Sequence, residues 1–280
     1  MIAMKKMQPE TFERFKLFIQ DELGIKMGAN KEVMLHARLV KRLRALGLQT
    51  YEEYCDYLFS SEGHEKELPF FVHQVTTNKT DFFREPAHFK YMTEHALPTL
   101  LREYTYSSQR PIRVWSAACS TGEEPYTIAM VLSDFLTIHP GLDFSILATD
   151  ISPTVLRQAA QGVFDEVRIA PLVLPMRKNY LLRSKDKTKK QVRIVPGLRS
   201  KIRFQWINLK AQPYNIRERM DMIFCRNVII YFSRETQEEV LSHMSSHLVS
   251  GGYIFMGHSE TLSGFNLPLR QVATTIYRKI

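Results

Sequence analysis

The sequence is poor in cysteine, and this limits the classes of protein that it can encode. Its 280 residues include three cysteines, Cys55, Cys119 and Cys225, which are scattered among apolar or small neighbours. A disulfide framework or a zinc site needs paired or closely spaced thiols. We therefore expect buried, reduced thiols in a cytoplasmic protein, and no metal ion.

Long apolar runs are missing as well. No stretch reaches the roughly 18 residues of a membrane-spanning helix, and no apolar segment follows the lysines of the opening MIAMKKMQPETFERFK. We expect neither membrane insertion nor a signal peptide. With 44% hydrophobic residues the chain can still bury a full core, and 280 residues suggest two domains at about 150 residues each.

Positive charge is unevenly distributed along a chain whose formal net charge is +9. Residues 183–203 contain nine Lys or Arg against one Asp, and residues 26–44 contain six against one Glu. This balance is compatible with nucleic acid, a membrane surface or an acidic protein as the partner, and it does not choose among them.

Residues 1–75 are predicted to form an all-helical domain with a basic helix. Apolar residues recur at helical spacing through residues 8–75, and the leucines of residues 31–46 share one arc of a helix. Another arc of that helix carries a basic stripe, Arg38, Lys41 and Arg42. This stripe is either a solvated face or a docking face for an acidic helix or for phosphates.

Residues 76–280 alternate between strand and helix patterns, which predicts an α/β domain. The predicted strands are residues 112–115, 144–148, 202–206, 220–225, 253–256 and 271–278, and the predicted helices are residues 124–136, 154–161 and 236–248. An insertion at about residues 163–200 could form a hairpin around a lysine-rich tip. It is either a mobile surface loop or a partner-binding edge.

The stretch IRVWSAACSTGEEPYTIAM, residues 112–130, joins a strand to a helix through a turn of small residues. Such a unit opens nucleotide sites in α/β folds. It is not GxGxxG, however, and Glu123 and Glu124 stand where a pyrophosphate site would have no carboxylate. We therefore expect a nucleoside ligand without phosphates, able to carry positive charge, and disfavour an NAD dehydrogenase.

Polar residues stand at or near the ends of five predicted strands, where open parallel sheets bind their ligands. They are Glu124, Asp150, Asn208, Arg226, Asn227 and Ser259. Asp150, after the second strand, can accept both hydroxyls of a ribose. A further polar segment, TTNKTDFFRE, brings together Asn78, Thr80 and Arg84, a combination that helix capping alone would not require.

Five segments, TTNKTDFFRE, VWSAACSTGEEPYTIA, ATDIS, FCRNVIIYF and GHSE, together resemble the CheR-type chemotaxis receptor methyltransferases. These enzymes transfer a methyl group from S-adenosylmethionine (SAM), leaving S-adenosylhomocysteine, to glutamate side chains on the cytoplasmic helices of bacterial chemoreceptors. The resemblance covers nearly the whole chain. It implies a class I SAM-dependent methyltransferase fold, Rossmann-like with a mixed sheet, a small all-helical N-terminal domain and a β-hairpin insertion.

Carried over by position, the resemblance implies two sets of site residues. The cofactor set is Asn78, Thr80, Arg84, Glu124, Asp150, Asn208, Leu209, Arg226 and Asn227. Arg84 and Tyr231 are implied near the methyl-transfer centre. Read from its apolar surroundings alone, Tyr231 could instead be a core residue.

The resemblance also implies the partner, the cytoplasmic domain of methyl-accepting chemoreceptors. The basic stripe matches the helix that family members lay against the acidic methylation region of the receptor. In some members the insertion captures a pentapeptide at the receptor C-terminus. Those members tend to carry glycines at the hairpin tip, and the tip SKDKTKKQ has none, which argues against such a tether here.

The residues themselves are compatible with this chemistry. A glutamate carboxylate, with a pKa of about 4.3, is already an ionised nucleophile at pH 7, so alignment is needed rather than a general base. The alternatives are a SAM-dependent nucleic-acid methyltransferase, which the basic segments favour and the lack of an NPPY-type motif disfavours, and a SAM-sensing interaction protein without catalysis. We expect no nucleic-acid partner.

Overall fold

The N-terminal part of the chain is built from helices in our computed structural model, which describes residues 6–28, 31–186 and 188–280. Residues 1–5, residues 29–30 and Lys187, which is in the lysine-rich tip, lie outside the described residues. The helices are α1 Pro9–Leu23, α2 Glu32–Leu46, α3 Tyr51–Leu58, α4 Ser61–Lys66 and α5 Leu68–Val75.

Helical spacing of large apolar residues gives these five helices a common core. Phe15 and Ile19 of α1 are four residues apart, as are Leu35 and Leu39 of α2, and all four side chains are fully buried. Residues four apart lie on one face of a helix, so the helices can pack their apolar faces together. The result is a core separate from the cores that flank the sheet.

The rest of the chain forms a mixed sheet with helices on both faces. Its strands are β1 Ile112–Ala117, β2 Phe144–Asp150, β6 Ile202–Trp206, β7 Met220–Cys225, β8 Leu248–Met256, β9 Leu269–Ala273 and β10 Ile276–Lys279. The helices are α6 Ala87–Tyr91, which continues through a π-helical turn into α7 Leu97–Glu103, then α8 Glu123–Leu136, α9 Pro153–Gln161, α10 Leu174–Tyr180, α11 Pro196–Arg199 and α12 Arg234–His247. In the part of the chain that the structure describes, no helix has the length and apolar character to cross a bilayer.

The strand order is β6-β2-β1-β7-β8-β10-β9. The first five of these strands are parallel, and β10 runs antiparallel to both of its neighbours, β8 and β9. From β1 the chain builds outward through β2 and β6, then returns to the other side of β1 at β7. Ligands bind at the carboxyl edge of a parallel sheet where the winding reverses in this way, so this topology places the predicted polar strand ends around one crevice.

Alternation along β1 explains why both faces of the sheet are covered. Val114 belongs to the core on one face and Trp115 to the core on the other, and both are fully buried. Successive side chains of a strand point to opposite faces, so a strand that packs on both sides needs apolar residues at consecutive positions. Val114 and Trp115 meet this need.

The insertion is a small three-stranded sheet rather than a bare hairpin. Strands β4 Leu181–Arg183 and β5 Gln191–Ile194 pair antiparallel, as predicted, with Leu181 opposite Ile194. A third strand, β3 Val163–Asp165, lies on the other side of β5. With three residues, β3 is too short to give an alternating pattern that sequence inspection can detect.

The prediction of one final strand over residues 271–278 is wrong. The chain turns at Thr274 and Thr275, and β9 and β10 pair antiparallel on either side. Thr275 adopts a left-handed φ of 55° and is buried, with its hydroxyl 3.0 Å from His88 Nε2. Because the turn contains no Gly or Asn, local sequence does not predict it. It is held instead by the contact between Thr275 and His88.

Candidate active site

A cavity of about 210 Å³ lies at the carboxyl edge of the sheet, between it and the helical domain. All of the residues in the implied cofactor and catalytic sets line it: Asn78, Thr80, Arg84, Glu124, Asp150, Asn208, Leu209, Arg226, Asn227 and Tyr231. The helical domain supplies another wall, Leu23, Ile25, Met27, Lys31, Met34 and Arg38. The site is therefore built by both parts of the chain.

The turn after β1 is held in an unusual backbone conformation. Ala118 and Ser120 have left-handed φ angles of 58° and 50°, and Gly122, before α8, has φ 101°. A Cβ on Gly122 would also meet Ala159 Cβ at 3.0 Å. Small residues are needed here because the turn curls tightly and packs against α9.

Asp150 fastens this turn to the end of β2. Its two carboxylate oxygens accept hydrogen bonds from the backbone amides of Ser120 and Ser152, each at 2.9 Å. Burial raises the pKa of Asp150, although these amide donors oppose the rise. Each oxygen keeps a second lone pair, so the carboxylate can accept two ligand hydroxyls as the sequence led us to expect.

Glu124 and Arg226 form a buried ion pair at the floor of the cavity. Arg226 Nη1 donates to Glu124 Oε2 at 3.1 Å, and Ser116 Oγ donates to Glu124 Oε1 at 2.7 Å. Burial raises the pKa of Glu124, and the Arg226 guanidinium counteracts this. Glu123 instead turns away from the cavity, so of the two carboxylates Glu124 is the one available to a ligand.

Sequence reasoning missed Glu85, which is outside the cavity lining but contacts two of its members, Arg226 and Asn227. It accepts from Arg226 Nη2 at 3.0 Å, from Asn227 Nδ2 at 3.3 Å and from the His258 amide at 3.2 Å. Although burial acts to raise the pKa of Glu85, Arg226 and these donors outweigh it and lower the pKa. The REP sequence at residues 84–86 gave only the adjacent Arg84 a role.

Glu260 is the second residue that was missed. Its carboxylate accepts from four backbone amides, those of Asn227, Val228, Ile229 and Gly257, at 2.6 to 3.0 Å. Asn227 thereby holds a left-handed φ of 59°. The strand-end residue of GHSE that supports the site is therefore Glu260, whereas Ser259, expected at this edge, is exposed and outside the cavity lining.

The implied catalytic pair lies at the cavity with few competing contacts. Arg84 Nη1 donates to the Lys79 carbonyl at 3.1 Å and is partly exposed. Tyr231 lies in a 3₁₀ turn, Ile229–Tyr231, and its hydroxyl makes no hydrogen bond within the described residues. Tyr231 is thus a cavity residue, not a buried core residue.

Three other implied cofactor residues use their side chains or carbonyls for protein contacts. Asn208 Nδ2 donates to the Glu22 carbonyl at 2.7 Å, which ties the loop after β6 to the end of α1. The Leu209 carbonyl accepts from the Tyr214 hydroxyl at 2.5 Å. Asn78 donates to the His73 carbonyl at 3.4 Å and its own carbonyl accepts from Ser120 Oγ at 2.9 Å.

The basic stripe is mostly engaged within the protein. Arg38 Nη1 donates to the Val75 carbonyl at 2.9 Å, and Arg42 forms a two-point ion pair with Glu67 at 2.7 Å, where Glu67 is 2% exposed. Only Lys41 of the three is fully exposed. Docking through this stripe stays a prediction, and the contacts show which of its members can be changed without breaking the domain.

Glu85, His88 and His258 bring potential metal-ligating atoms within 4.8 Å of one another. The arrangement does not suit a cation. Glu85 is already an acceptor for Arg226, whose guanidinium lies 3.0 Å from its carboxylate and would repel a metal ion.

This fold and site define a class I SAM-dependent methyltransferase. The topology, the small-residue turn and buried Asp150 suit a nucleoside, and Glu124 offers an acceptor for an ammonium or hydroxyl group of the ligand. Residues 78–278 match the family model "CheR methyltransferase, SAM binding domain", and residues 10–76 match "CheR methyltransferase, all-alpha domain". The chain belongs to the CheR methyltransferase family.

Named relatives agree over nearly the full length. The chain is 37% identical to the chemotaxis protein methyltransferase of Escherichia coli K12, covering 95% of this chain and 89% of the relative. It is 38% identical to chemotaxis protein methyltransferase 2 of Pseudomonas aeruginosa, covering 96% and 92%, and 35% identical to the chemotaxis protein methyltransferase of Borreliella burgdorferi, covering 96% and 94%. SAM as the cofactor and a place in chemotaxis methylation are thereby confirmed.

Proposed function

We propose that this protein methylates glutamate side chains on the cytoplasmic helices of bacterial chemoreceptors. The observation that carries the proposal is that Arg84, whose side chain donates only to the Lys79 carbonyl among the described residues, and Tyr231, whose hydroxyl has no partner among them, both line the cavity. A guanidinium recognises a carboxylate through two parallel donors. A carboxylate acceptor is therefore favoured over an uncharged one.

The chemistry requires positioning rather than proton removal. SAM, when bound, supplies a methyl group on a sulfonium. The described lining of the cavity includes no histidine or cysteine, and an ionised glutamate needs no base. In our proposal Asp150 accepts cofactor hydroxyls, Glu124 faces the cationic part, Arg84 orients a carboxylate and Tyr231 donates to the acceptor.

A methyl-transfer assay tests the proposal directly. Purified protein, SAM labelled on the methyl group and each receptor cytoplasmic fragment of the host should give base-labile label on glutamates, and acceptor Glu→Gln variants should lose it. Fragments with and without their C-terminal tails are expected to be labelled at similar rates. Label on DNA or RNA, or SAM binding with no transfer to any receptor fragment, would contradict the proposal.

Arg84→Ala gives the matching prediction on the enzyme. We expect methyl transfer to fall by at least about a hundredfold, because two hydrogen bonds to a charged carboxylate together contribute about 3 kcal/mol. The fold should be retained, since Arg84 makes one side-chain hydrogen bond, to Lys79. Arg102→Ala, an exposed arginine that bonds only Thr99 on its own helix, is the control. Near-normal methyl transfer by the Arg84→Ala variant would show that Arg84 does not orient a carboxylate for the reaction.

Receptor docking through the basic stripe needs a variant that does not disturb the domain. Lys41→Glu should slow receptor methylation severalfold and leave SAM binding unchanged, because Lys41 is exposed and outside the cavity. Arg42→Glu should instead unfold or loosen the helical domain, since breaking a buried ion pair costs about 3–5 kcal/mol. Arg102→Glu controls for charge. If Lys41→Glu methylates receptors normally, Lys41 does not contribute to docking.

A further inference from the structure

Arg168 reaches from the insertion to the cofactor site. It lies in the 3₁₀ turn Glu166–Ile169, between β3 and α10. One nitrogen, Nη2, donates both to the Thr80 carbonyl at 2.8 Å and to the carboxylate of Glu123. Thr80 lines the cavity, so a residue of the insertion contacts the segment that forms the cavity wall.

Glu123 is buried and depends on this contact for charge compensation. Its side chain is 1% exposed, whereas that of Arg168 is 40% exposed. Its other oxygen accepts from Thr121 Oγ1 at 2.6 Å. A buried carboxylate left without its cationic partner is strongly unfavourable, so the conformation of the first turn of α8 depends on Arg168.

The two acceptors of Arg168 belong to different walls of the site. Thr80 is in the segment that precedes α6, and Glu123 opens α8 beside Glu124. Thr127 links the same two walls, because its hydroxyl donates to the Glu123 carbonyl at 2.7 Å and accepts from the Phe83 amide at 3.2 Å. Holding both acceptors with one nitrogen fixes the spacing between the walls.

We propose that Arg168 is a positioning residue that sets the cofactor cavity from the insertion, so that SAM affinity depends on this side chain although it does not line the cavity. The Lys side chain also ends in a nitrogen that can donate to both acceptors. It is therefore expected to replace Arg168, whereas an uncharged side chain of similar length is not.

Titration calorimetry with S-adenosylhomocysteine tests this without any methyl acceptor, so its result is independent of whether receptor glutamates are the substrate. Arg168→Met should raise the dissociation constant about tenfold, and Arg168→Lys should stay within about threefold of the unmodified protein. Arg183→Met, at an exposed residue of β4 in the same insertion, should leave the dissociation constant unchanged.

A double variant separates positioning from simple loss of stability. Arg168→Met combined with Glu123→Gln removes the uncompensated buried charge, so its melting temperature should recover toward that of the unmodified protein while its affinity stays low. Normal affinity in the double variant would overturn the proposal. So would an Arg168→Lys variant as weak as Arg168→Met.

Discussion

At the scale of single residues, Arg226 contributes both to the cavity and to the stability of the fold. Its side chain is 2% exposed, and it is paired with both Glu85 and Glu124 while it also donates to the Arg84 carbonyl. Because its donors are committed to the protein, its main effect on a ligand is to fix these carboxylates and to place positive charge behind them. Removing it would leave two buried anions unpaired.

His88 makes the stability of the protein sensitive to acid. Burial, with Arg226 nearby, lowers its pKa to about 4. Between pH 6.5 and 4 the unfolded chain binds a proton at this histidine and the folded chain does not, so the free energy of unfolding must fall as the pH falls through this window.

The prediction is that His88→Gln flattens this pH dependence by about 2–3 kcal/mol between pH 7 and pH 4. Urea unfolding of both proteins at a series of pH values measures it. His64→Gln, at an exposed histidine, should keep the acid sensitivity of the unmodified protein. Equal slopes for His88→Gln and the unmodified protein would show that His88 is not responsible.

At the scale of elements, the turn after β8 supports the turn after β7. A Cβ at Gly257 would lie 2.4 Å from Asn227 Nδ2 and 2.8 Å from Glu260 Oε2. The two turns therefore approach each other more closely than any side chain at residue 257 allows.

Gly257→Ala should consequently push Asn227 and Glu260 apart. We expect the dissociation constant for S-adenosylhomocysteine to rise about tenfold, equivalent to about 1.4 kcal/mol, and the free energy of unfolding to fall by about 1–3 kcal/mol. Gly197→Ala, where a Cβ would meet nothing within 4 Å, is the control for both calorimetry and denaturation. Unchanged binding by Gly257→Ala would mean that the contact can relax.

Elements with strong local patterns were predictable from the sequence. The strand at residues 220–225 has the predicted bounds, and the helix predicted at residues 154–161 is α9, Pro153–Gln161. Short β3 and the turn at Thr274 and Thr275 were not predictable, since one has too few residues for periodicity and the other lacks the usual turn residues. Their formation depends on packing with distant parts of the chain.

At the scale of the whole molecule, the two parts of the chain are joined by backbone as well as side-chain contacts. The Lys26 amide donates to the Tyr231 carbonyl at 2.7 Å, and Ile25 forms a β-bridge with Phe232. Lys210 Nζ donates to the Gln20 carbonyl at 3.1 Å, at the C-terminal end of α1. A cation at this end of a helix is stabilised by the helix dipole.

Lys210→Met should loosen the end of α1. We expect a loss of about 1 kcal/mol in unfolding free energy and faster hydrogen exchange at residues 23–26, measured by mass spectrometry. Lys178→Met, at an exposed lysine of α10, provides the comparison. Exchange at residues 23–26 that is as slow as in the unmodified protein would show that the backbone contacts hold this joint alone.

The sequence was enough to predict the location of the site, but not the ion pairs that hold its residues in place. Asp150 and Asn227 were identifiable because strand ends meet at one edge of a parallel sheet. The pairs Arg168–Glu123, Arg42–Glu67 and Glu85–Arg226 join positions 45, 25 and 141 residues apart. A single sequence gives no local indication of such pairs. The basic stripe was therefore expected to be more available to a partner than its contacts within the protein allow.

The position of Glu260 affects which anions can bind to the backbone amides around it. Converging backbone amides of this kind form a concave seat that commonly binds phosphate groups. Here a carboxylate of the same chain, that of Glu260, occupies the seat and accepts from all four amides. These four amides are therefore not available to a phosphate group of another ligand.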